Sequence, residues 1–287
     1  MRTGRFQPWL YIGLALVLVS FFLIYPSIHT IFLSFTRSGE FSGIRNYIYI
    51  FTNNTMLTAL RNNLLWVVVA TAFTVAFGLI LAVLLDRVRY ESVIKSIVFL
   101  PMAISFVGAS VIWKFVYAYR PAGTDQIGLF NAIITALGGK PIGWLIERPW
   151  INNFCLIMVW IWIWTGFCMV ILSAAYKNIP KELLEAARID GASEWQVFWK
   201  VILPLLKTTI AVAATTMMVF VLKIFDIVYV MTNGNFSTEV IANRMYKEMF
   251  HFRNFGKASA IAVVLFVLIL PMMLINIRRF REQEAIR

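Results

Sequence analysis

Charged residues are scarce in this chain: Asp, Glu, Lys and Arg make up 14% of its 287 residues, whereas 60% are hydrophobic and 15% are aromatic. Soluble domains are usually about 45–50% apolar, so the shortage of charge excludes an ordinary soluble enzyme and indicates an integral membrane protein. The net charge of +12 does not indicate a nucleic-acid partner, because the basic residues are scattered between hydrophobic runs. That arrangement is typical of topology signals and of contacts with membrane lipid.

Residues with metal-binding or nucleophilic chemistry are also few. The two cysteines, Cys155 and Cys168, lie in one apolar run and too far apart along a helix to be bridged. The two histidines, His29 and His251, stand in unrelated segments. The sequence has no GxSxG or HExxH motif, and no GxxxxGK[ST] loop that would hold the phosphates of ATP. We therefore expect no metal, no catalytic group and no cofactor in this chain.

Hydrophobic runs, by contrast, take up most of the chain, and we count six. A helix needs about 20 residues to cross the hydrocarbon core, so the runs predict an all-α polytopic membrane protein with a single transmembrane domain over residues 1–287. The predicted spans cover residues 9–36, 62–85, 96–113, 149–176, 205–231 and 258–277. The first is too long for a signal peptide, so we interpret it as retained. The fifth must carry Lys223 and Asp226 with it.

The basic residues predict the orientation of these spans. With the amino terminus inside, the cytosolic segments hold 14 Lys and Arg in 59 residues, and the external segments hold 12 in 95. Because Lys and Arg are more frequent in cytosolic loops, both termini are expected in the cytosol. Residues 178–204, named here the 178–204 loop, then face the cytosol as well.

The 178–204 loop has signals for two short helices. Residues 181–190 are rich in helix formers, and Gly191 supplies the left-handed residue that often ends a helix. Ser193 and Gln196 have the spacing of a capping box, which predicts the start of a second helix that runs into the fifth span.

The 178–204 loop also carries small or apolar side chains on a cytosolic surface, namely Leu183, Leu184, Ala186 and Ala187. Such a surface suggests a docking site for a partner. Helices that lie along the membrane surface carry an apolar face too, so the physics alone leaves both interpretations open.

The spacing within the loop carries a resemblance to a known family. Glu185-Ala186-Ala187 is followed by three residues, Gly191, nine residues and then Val201-Ile202-Leu203-Pro204. This resembles the EAA loop of the permease subunits of binding-protein-dependent ABC importers, with Val201 in place of the usual Ile.

The resemblance extends over most of the chain and points to the carbohydrate-uptake subfamily. The segments "YPSIHTIFLSFT", "LPMAISFVGASVIWKFVY", "WIWTGFCMVILSAAYKNIP" and "FDIVYVMTNG" are similar to maltose and glycerol-phosphate permeases, and "STEVIANRMYKEMF" is similar to α-glucoside permeases. One departure stands after the fifth span, where this chain has Asn233-Gly234-Asn235 and many members have Gly-Gly-Pro.

The resemblance implies the type I ABC importer fold and a set of partners. These are a second permease subunit, usually non-identical, two cytosolic ATPase subunits that bind Mg-ATP, and an external sugar-binding protein, all at the cytoplasmic membrane of a bacterium or archaeon. It implies that the 178–204 loop sits in a cleft of an ATPase and that ATP binding shifts the balance between inward-open and outward-open states. The residues that would carry the coupling are Leu183, Glu185, Ala186, Ala187, Asp190, Gly191, Leu203 and Pro204.

A sugar path is expected near the outer half of the fourth and fifth spans. Lys223 and Asp226 are three residues apart and would share a helix face, either as part of this path or as an ion pair at the outer interface. An aromatic platform beside a glycine gap suits a sugar ring, although an aromatic membrane belt or helix packing would give the same pattern. By resemblance, the residues that would line the path are Trp162, Gly166, Val170, Lys223, Phe225 and Asp226.

Two other classes of function are weighed against an ATP-driven importer. An ion-coupled secondary transporter or channel would mark its path with an intramembrane carboxylate, and Asp226 is a candidate. An intramembrane enzyme is the third class. The sequence has no catalytic motif that would support this class.

Overall fold

The structure, a computed structural model, describes residues 7–86, 88–146 and 150–285, which are mostly helical. The helices are α1 (Gln7–Val19), α2 (Tyr25–Ser34), α3 (Arg45–Thr52), α4 (Asn54–Leu85), α5 (Glu91–Phe99), α6 (Phe106–Val116), α7 (Leu129–Ala136), α8 (Ile151–Lys177), α9 (Lys181–Ile189), α10 (Glu194–Val197), α11 (Leu203–Leu222), α12 (Asp226–Met231), α13 (Ile241–Tyr246) and α14 (Phe255–Ala285). Strands β1 (Thr36–Arg37) and β2 (Glu40–Phe41) form one antiparallel hairpin. π-Helical segments cover Ser20–Ile24, Phe198–Ile202 and Lys247–His251, and a 3₁₀ segment covers Leu100–Ala103.

The number of membrane spans agrees with the sequence. In the described ranges five helices are long and apolar enough to cross a membrane, and a sixth span results if the bent pair of α5 and α6 counts as one. The all-α polytopic architecture is therefore confirmed. Pro149, at which the fourth span was predicted to begin, lies outside the described residues, as do residues 1–6 and 286–287 of the predicted domain.

The second span starts earlier than predicted. Helix α4 begins at Asn54 rather than at residue 62, because the side chain of Asn53 accepts hydrogen bonds from the backbone N–H groups of Thr55 and Met56. Such a cap satisfies the free donors of a first helical turn. The polar start of this helix therefore extends beyond the apolar run.

The third span is not one straight helix, so the prediction of a single helix over residues 96–113 is wrong. The chain bends by 100° between Glu91–Ala103 and Phe106–Val116. Pro101 cannot donate to the preceding turn and forces a break, and Ser105 starts α6 by accepting a hydrogen bond from the N–H of Gly108 at 3.0 Å.

The fifth span also differs from the prediction at both ends. A continuous helix of 29 residues runs over Glu194–Leu222, with the π-helical turn Phe198–Ile202 just before Pro204. Proline lacks an N–H group and clashes with the turn before it, and a wider turn relieves this conflict. The helix then ends at Leu222, and a new helix begins only at Asp226. Residues 205–231 are therefore not one helix.

Helices α4 and α8 form the centre of the bundle, and α11 packs against both. A Cβ atom at Gly78 of α4 would lie 2.5 Å from the Cβ of Cys168 on α8, so the glycine permits the close approach of the two helices. Helix α14 packs on α2 and α11. Most residues of the first span, Ile12–Ser34, are exposed within this chain, although its second half packs on α14.

Candidate functional site

A cavity of about 290 Å³ lies where the fifth span breaks. Its lining residues come from α6, α8, the end of α11 and the start of α12, and they are Phe106, Trp160, Trp164, Phe220, Lys223, Ile224, Phe225 and Asp226. Because the chain leaves helical geometry between Leu222 and Asp226, it presents four successive side chains, residues 223–226, to the cavity. A continuous helix would spread them around its circumference.

Aromatic rings make up one wall of this cavity. Trp160 and Trp164 are one turn apart on α8 with ring centroids 5.4 Å apart, and Phe106 stacks on Trp160 at 6.1 Å with an interplanar angle of 5°. Phe220 extends the wall, 4.9 Å from Trp164. Flat aromatic faces are a surface on which the apolar CH face of a sugar ring can stack.

Two charged side chains also line this cavity. Lys223 is exposed, with its ammonium 5.8 Å from the centroid of Phe220, and Asp226 is the first residue of α12. Neither forms an ion pair with another residue in the described parts of the chain. The predicted shared helix face of Lys223 and Asp226 is wrong, because the helix ends between them. The break nevertheless brings both into one cavity with Phe225.

The other predicted path residues lie on a different face of α8. Trp162 lines a separate cavity of about 510 Å³ together with Trp113 of α6. A Cβ at Gly166 would lie 2.5 Å from the carbonyl oxygen of Val98, so the glycine gap is filled by the backbone of α5. Val170 is exposed. The structure therefore does not bring Trp162, Gly166 and Val170 together with Lys223, Phe225 and Asp226.

The sequence pattern favours Trp162 over Trp160 and Trp164 as a lining residue of the sugar path, and it does not indicate Phe106, Phe220 or Ile224. The spacing of Trp160 and Trp164 signals one shared face, but it does not tell which neighbour that face meets. The close contact of Gly166 with α5 decides it, since this contact turns the face carrying Trp160 towards α11 and α12.

Beyond the cavity, the segment from Thr232 to Asn254 is held by buried asparagines of the spans. The amide of Asn62 donates to the carbonyls of Ser237 and Glu239 at 2.7 and 2.8 Å. Asn63 donates to the carbonyl of Leu222 at 3.2 Å, and its own amide oxygen accepts the N–H of Ile241 at 2.8 Å. These bonds fix the end of α11 and the start of α13 to α4.

Ion pairs hold the same segment from within. The ammonium of Lys247 donates to the carboxylate of Glu239 at 2.8 Å and to the carbonyl of Asn233 at 2.6 Å. Asn233 and Gly234 both have positive φ, 52° and 71°, and make a left-handed turn at this point. A side chain at Gly234 would collide with the Glu239 carboxylate.

A second cluster joins this segment to α3. Tyr49 donates to the carboxylate of Glu248 at 2.8 Å, and the guanidinium of Arg244 donates to both. Burial, together with the bond to Glu248, raises the pKa of Tyr49 to about 12, so its phenol stays protonated as a donor at physiological pH. Asn and Glu residues so close to the apolar runs indicate buried polar clusters of this kind. The prediction from sequence did not use this signal.

On the other side of the bundle, the 178–204 loop folds as two helices joined by a corner. Gly191 has φ +84°, and no atom lies within 4 Å of a Cβ built on it, so the backbone alone requires glycine. The predicted capping box is present: Ser193 Oγ accepts the N–H of Gln196, and Gln196 Oε1 accepts the N–H of Ser193 at 2.8 Å. Arg188 joins the two helices through an ion pair of 2.7 Å with Glu194.

The exposed surface of this loop differs from the predicted one in one part. Leu183, Glu185, Ala186, Asp190 and Gly191 are exposed, and Leu203 and Pro204 lie at the start of α11. Leu184 is buried in the core of the bundle and Ala187 is half-buried against it. The expectation that Leu184 is exposed is therefore wrong, because this side chain anchors α9 to the spans. Ile189 and Trp195, which were not predicted, are 85% and 70% exposed.

A bundle of membrane spans with a cavity at a broken helix and a helix–corner–helix loop on the opposite side has the architecture of a transporter subunit. The family model described as the binding-protein-dependent transport system inner membrane component matches residues 74–278. The chain belongs to this family. It is thus a multi-pass inner-membrane permease component of an ABC importer and not an enzyme, and the ion-coupled and enzymatic classes fall away.

Individual relatives agree with this assignment. The chain is 60% identical over 280 residues to the osmoprotective compounds uptake permease protein GgtC of Synechocystis sp., with 97% of this chain and all of GgtC covered. It is 48% identical over 286 residues to the α-glucoside transport system permease protein AglF of Rhizobium meliloti, with 99% of this chain and 85% of AglF covered.

A solved structure has the same fold. A chain of a bacterial alginate ABC transporter, in complex with alginate pentasaccharide-bound periplasmic protein, superposes with a TM-score of 0.80 at 21% identity and 96% coverage of both chains.

Proposed function

We propose that this subunit forms the path for a small α-glucoside delivered by an external sugar-binding protein. The observation that carries the proposal is the cavity of about 290 Å³, whose lining combines stacked aromatic rings with the charged side chains of Lys223 and Asp226. An amphipathic sugar needs both, because its CH face stacks while its hydroxyls seek polar groups. The identity to AglF, an α-glucoside permease, supports the same substrate class.

We infer that the 178–204 loop transmits the work of two cytosolic ATPase subunits, which bind Mg-ATP that this chain itself does not hold. The exposure of Glu185, Ala186 and Asp190 supports them as the residues that contact the ATPase. Leu183, Ala187 and Gly191 shape the helix and its corner, and Leu203 and Pro204 connect them to the fifth span. A second permease subunit completes the path, and the mostly exposed first span provides apolar surface for it.

The uptake experiment uses the complete complex in proteoliposomes, with radiolabelled maltose and sucrose as probes. Trp164→Ala and Asp226→Ala are expected to lower uptake about fivefold or more, since loss of one stacked ring or one polar contact costs about 1 kcal/mol or more. Basal ATP hydrolysis should persist. Trp162→Ala is the matched comparison, and a loss confined to Trp162→Ala would place the path on the other face of α8.

The proposed topology places both termini and the 178–204 loop in the cytosol. The native Cys155 and Cys168 are buried, so an exposed introduced cysteine dominates labelling by an impermeant thiol reagent. Ser193→Cys should react only after the cells are opened, whereas Asp125→Cys in the segment after α6 should react in intact cells. The reverse pattern would invert the topology.

A further inference from the structure

Five aromatic rings form a continuous ladder that leads outwards from the cavity. Phe225 and Tyr229 are one turn apart at the start of α12, and their rings stack with centroids 5.1 Å apart. Tyr246 faces both of them, at 5.3 Å from Phe225 and 5.2 Å from Tyr229. Phe250 and His251 continue from Tyr246 at 4.9 and 5.6 Å. These five residues are named here the ring ladder.

The ring ladder begins inside the cavity and ends at the surface. Phe225 is one of the lining residues of the cavity, Tyr229 and Tyr246 are half-buried, and Phe250 is 62% exposed. An aromatic membrane belt consists of separate rings at the level of the lipid headgroups. Rings that touch one another in sequence and lead into a polar cavity have a different geometry.

Two ion pairs and a hydrogen bond hold the backbone of the ring ladder in place. Its outer half lies on α13 and the π-helical segment Lys247–His251, which the ion pair of Lys247 with Glu239 and that of Arg244 with Glu248 fix from two sides. Asn63 holds the first residue of α13. A preorganised set of rings binds a ligand without the cost of ordering them.

We propose that the ring ladder is an outer binding site for the additional sugar rings of an α-glucoside longer than the cavity can enclose. This inference rests on the function proposed above and extends it. A cavity of about 290 Å³ lies at the lower end of the usual range for ligand sites, so it holds a short glucoside, and the next ring of a longer one stacks on Tyr246 and its neighbours.

The test uses the assembled complex in proteoliposomes with saturating binding protein, and it measures sugar transported per ATP hydrolysed for maltose and for maltotriose. Tyr246→Ala should lower this ratio about fivefold for maltotriose, as expected for the loss of one stacked ring, and less than about twofold for maltose. Tyr246→Phe keeps the ring and should keep the wild-type ratio. Phe236→Ala removes an exposed external ring that is outside the ladder and serves as the control.

Equal losses for the two sugars, a Phe variant as defective as the Ala variant, or unchanged transport by Tyr246→Ala would each overturn the ring ladder as a sugar site. If Tyr246→Ala does not assemble, Phe250→Ala decides by the same criteria, because that ring is largely exposed and its loss leaves the core intact. A wild-type complex that transports neither probe would instead refute the α-glucoside path and the ring ladder with it.

Discussion

The 178–204 loop and the segment 232–254 are two polar regions of this chain that are stabilised in opposite ways. The 178–204 loop is held by local bonds, the capping box and the ion pair of Arg188 with Glu194, and most of its side chains are exposed. Segment 232–254 is held by side chains from distant spans, and its carboxylates Glu239 and Glu248 are buried.

The contrast indicates where a partner is still missing. A surface that keeps Ile189 and Trp195 exposed has apolar area left to bury, whereas the buried carboxylates of segment 232–254, Glu239 and Glu248, already have basic partners within the chain. Substitutions at the exposed residues of the 178–204 loop should therefore alter coupling and leave the fold intact. Substitutions in the buried clusters of segment 232–254 should alter the fold first.

The largest expected effect is that of Glu239→Ala. It leaves the ammonium of Lys247 without its carboxylate in a largely buried site, and breaking such a pair costs about 3–5 kcal/mol. The apparent melting temperature, followed by reaction of the buried Cys155 and Cys168 with a thiol dye, should fall steeply. Glu185→Ala is the control because that side chain is exposed. Equal melting temperatures for the two variants would contradict the difference in stabilisation between the two regions.

Ala186→Asp should have the next largest effect, on transport alone. Ala186 is exposed in this subunit, so a carboxylate there leaves folding unchanged, but it would be buried unpaired in the contact with the ATPase. We expect at least about a tenfold loss of uptake, equivalent to about 1.4 kcal/mol, with reduced copurification of the ATPase. Normal uptake would remove α9 from the coupling contact.

Gly191→Val should have a smaller effect. It tests whether Gly191 acts through its backbone conformation at the corner or through direct contact with the ATPase. The left-handed backbone at this residue costs a β-branched side chain about 1–2 kcal/mol, which misplaces the two helices without a steric clash. Gly191→Asn is the matched variant, because Asn tolerates this conformation. Uptake should fall with Val and be largely kept with Asn, and equal loss with both would contradict a purely conformational role.

The parts of the structure that local chemistry determines were predictable from the sequence. Gly191, Ser193 and Gln196 carry the corner and the cap in their own backbone preferences, and the apolar runs indicate the spans. The resemblance in the 178–204 loop identified the family, which the family model confirms.

The break of the fifth span was not predictable, because it depends on distant residues. No glycine or proline stands between Phe220 and Asp226, and the carbonyl of Leu222 is capped by Asn63 of α4, far away in sequence. The rotation of α8 depends on tertiary contact in the same way, since the backbone of α5 fills the gap at Gly166. Hydropathy reports neither contact.

The continuous helix Glu194–Leu222 couples the rotation of its two ends. Its 29 residues span about 43 Å at 1.5 Å per residue, and no flexible joint separates the corner at one end from Lys223 at the other. Turning Trp195 about the helix axis therefore turns Lys223 by a similar angle. One inserted residue would rotate one end relative to the other by about 100°. The length of this helix therefore sets the orientation of the loop about the helix axis relative to the cavity, as well as the distance between them.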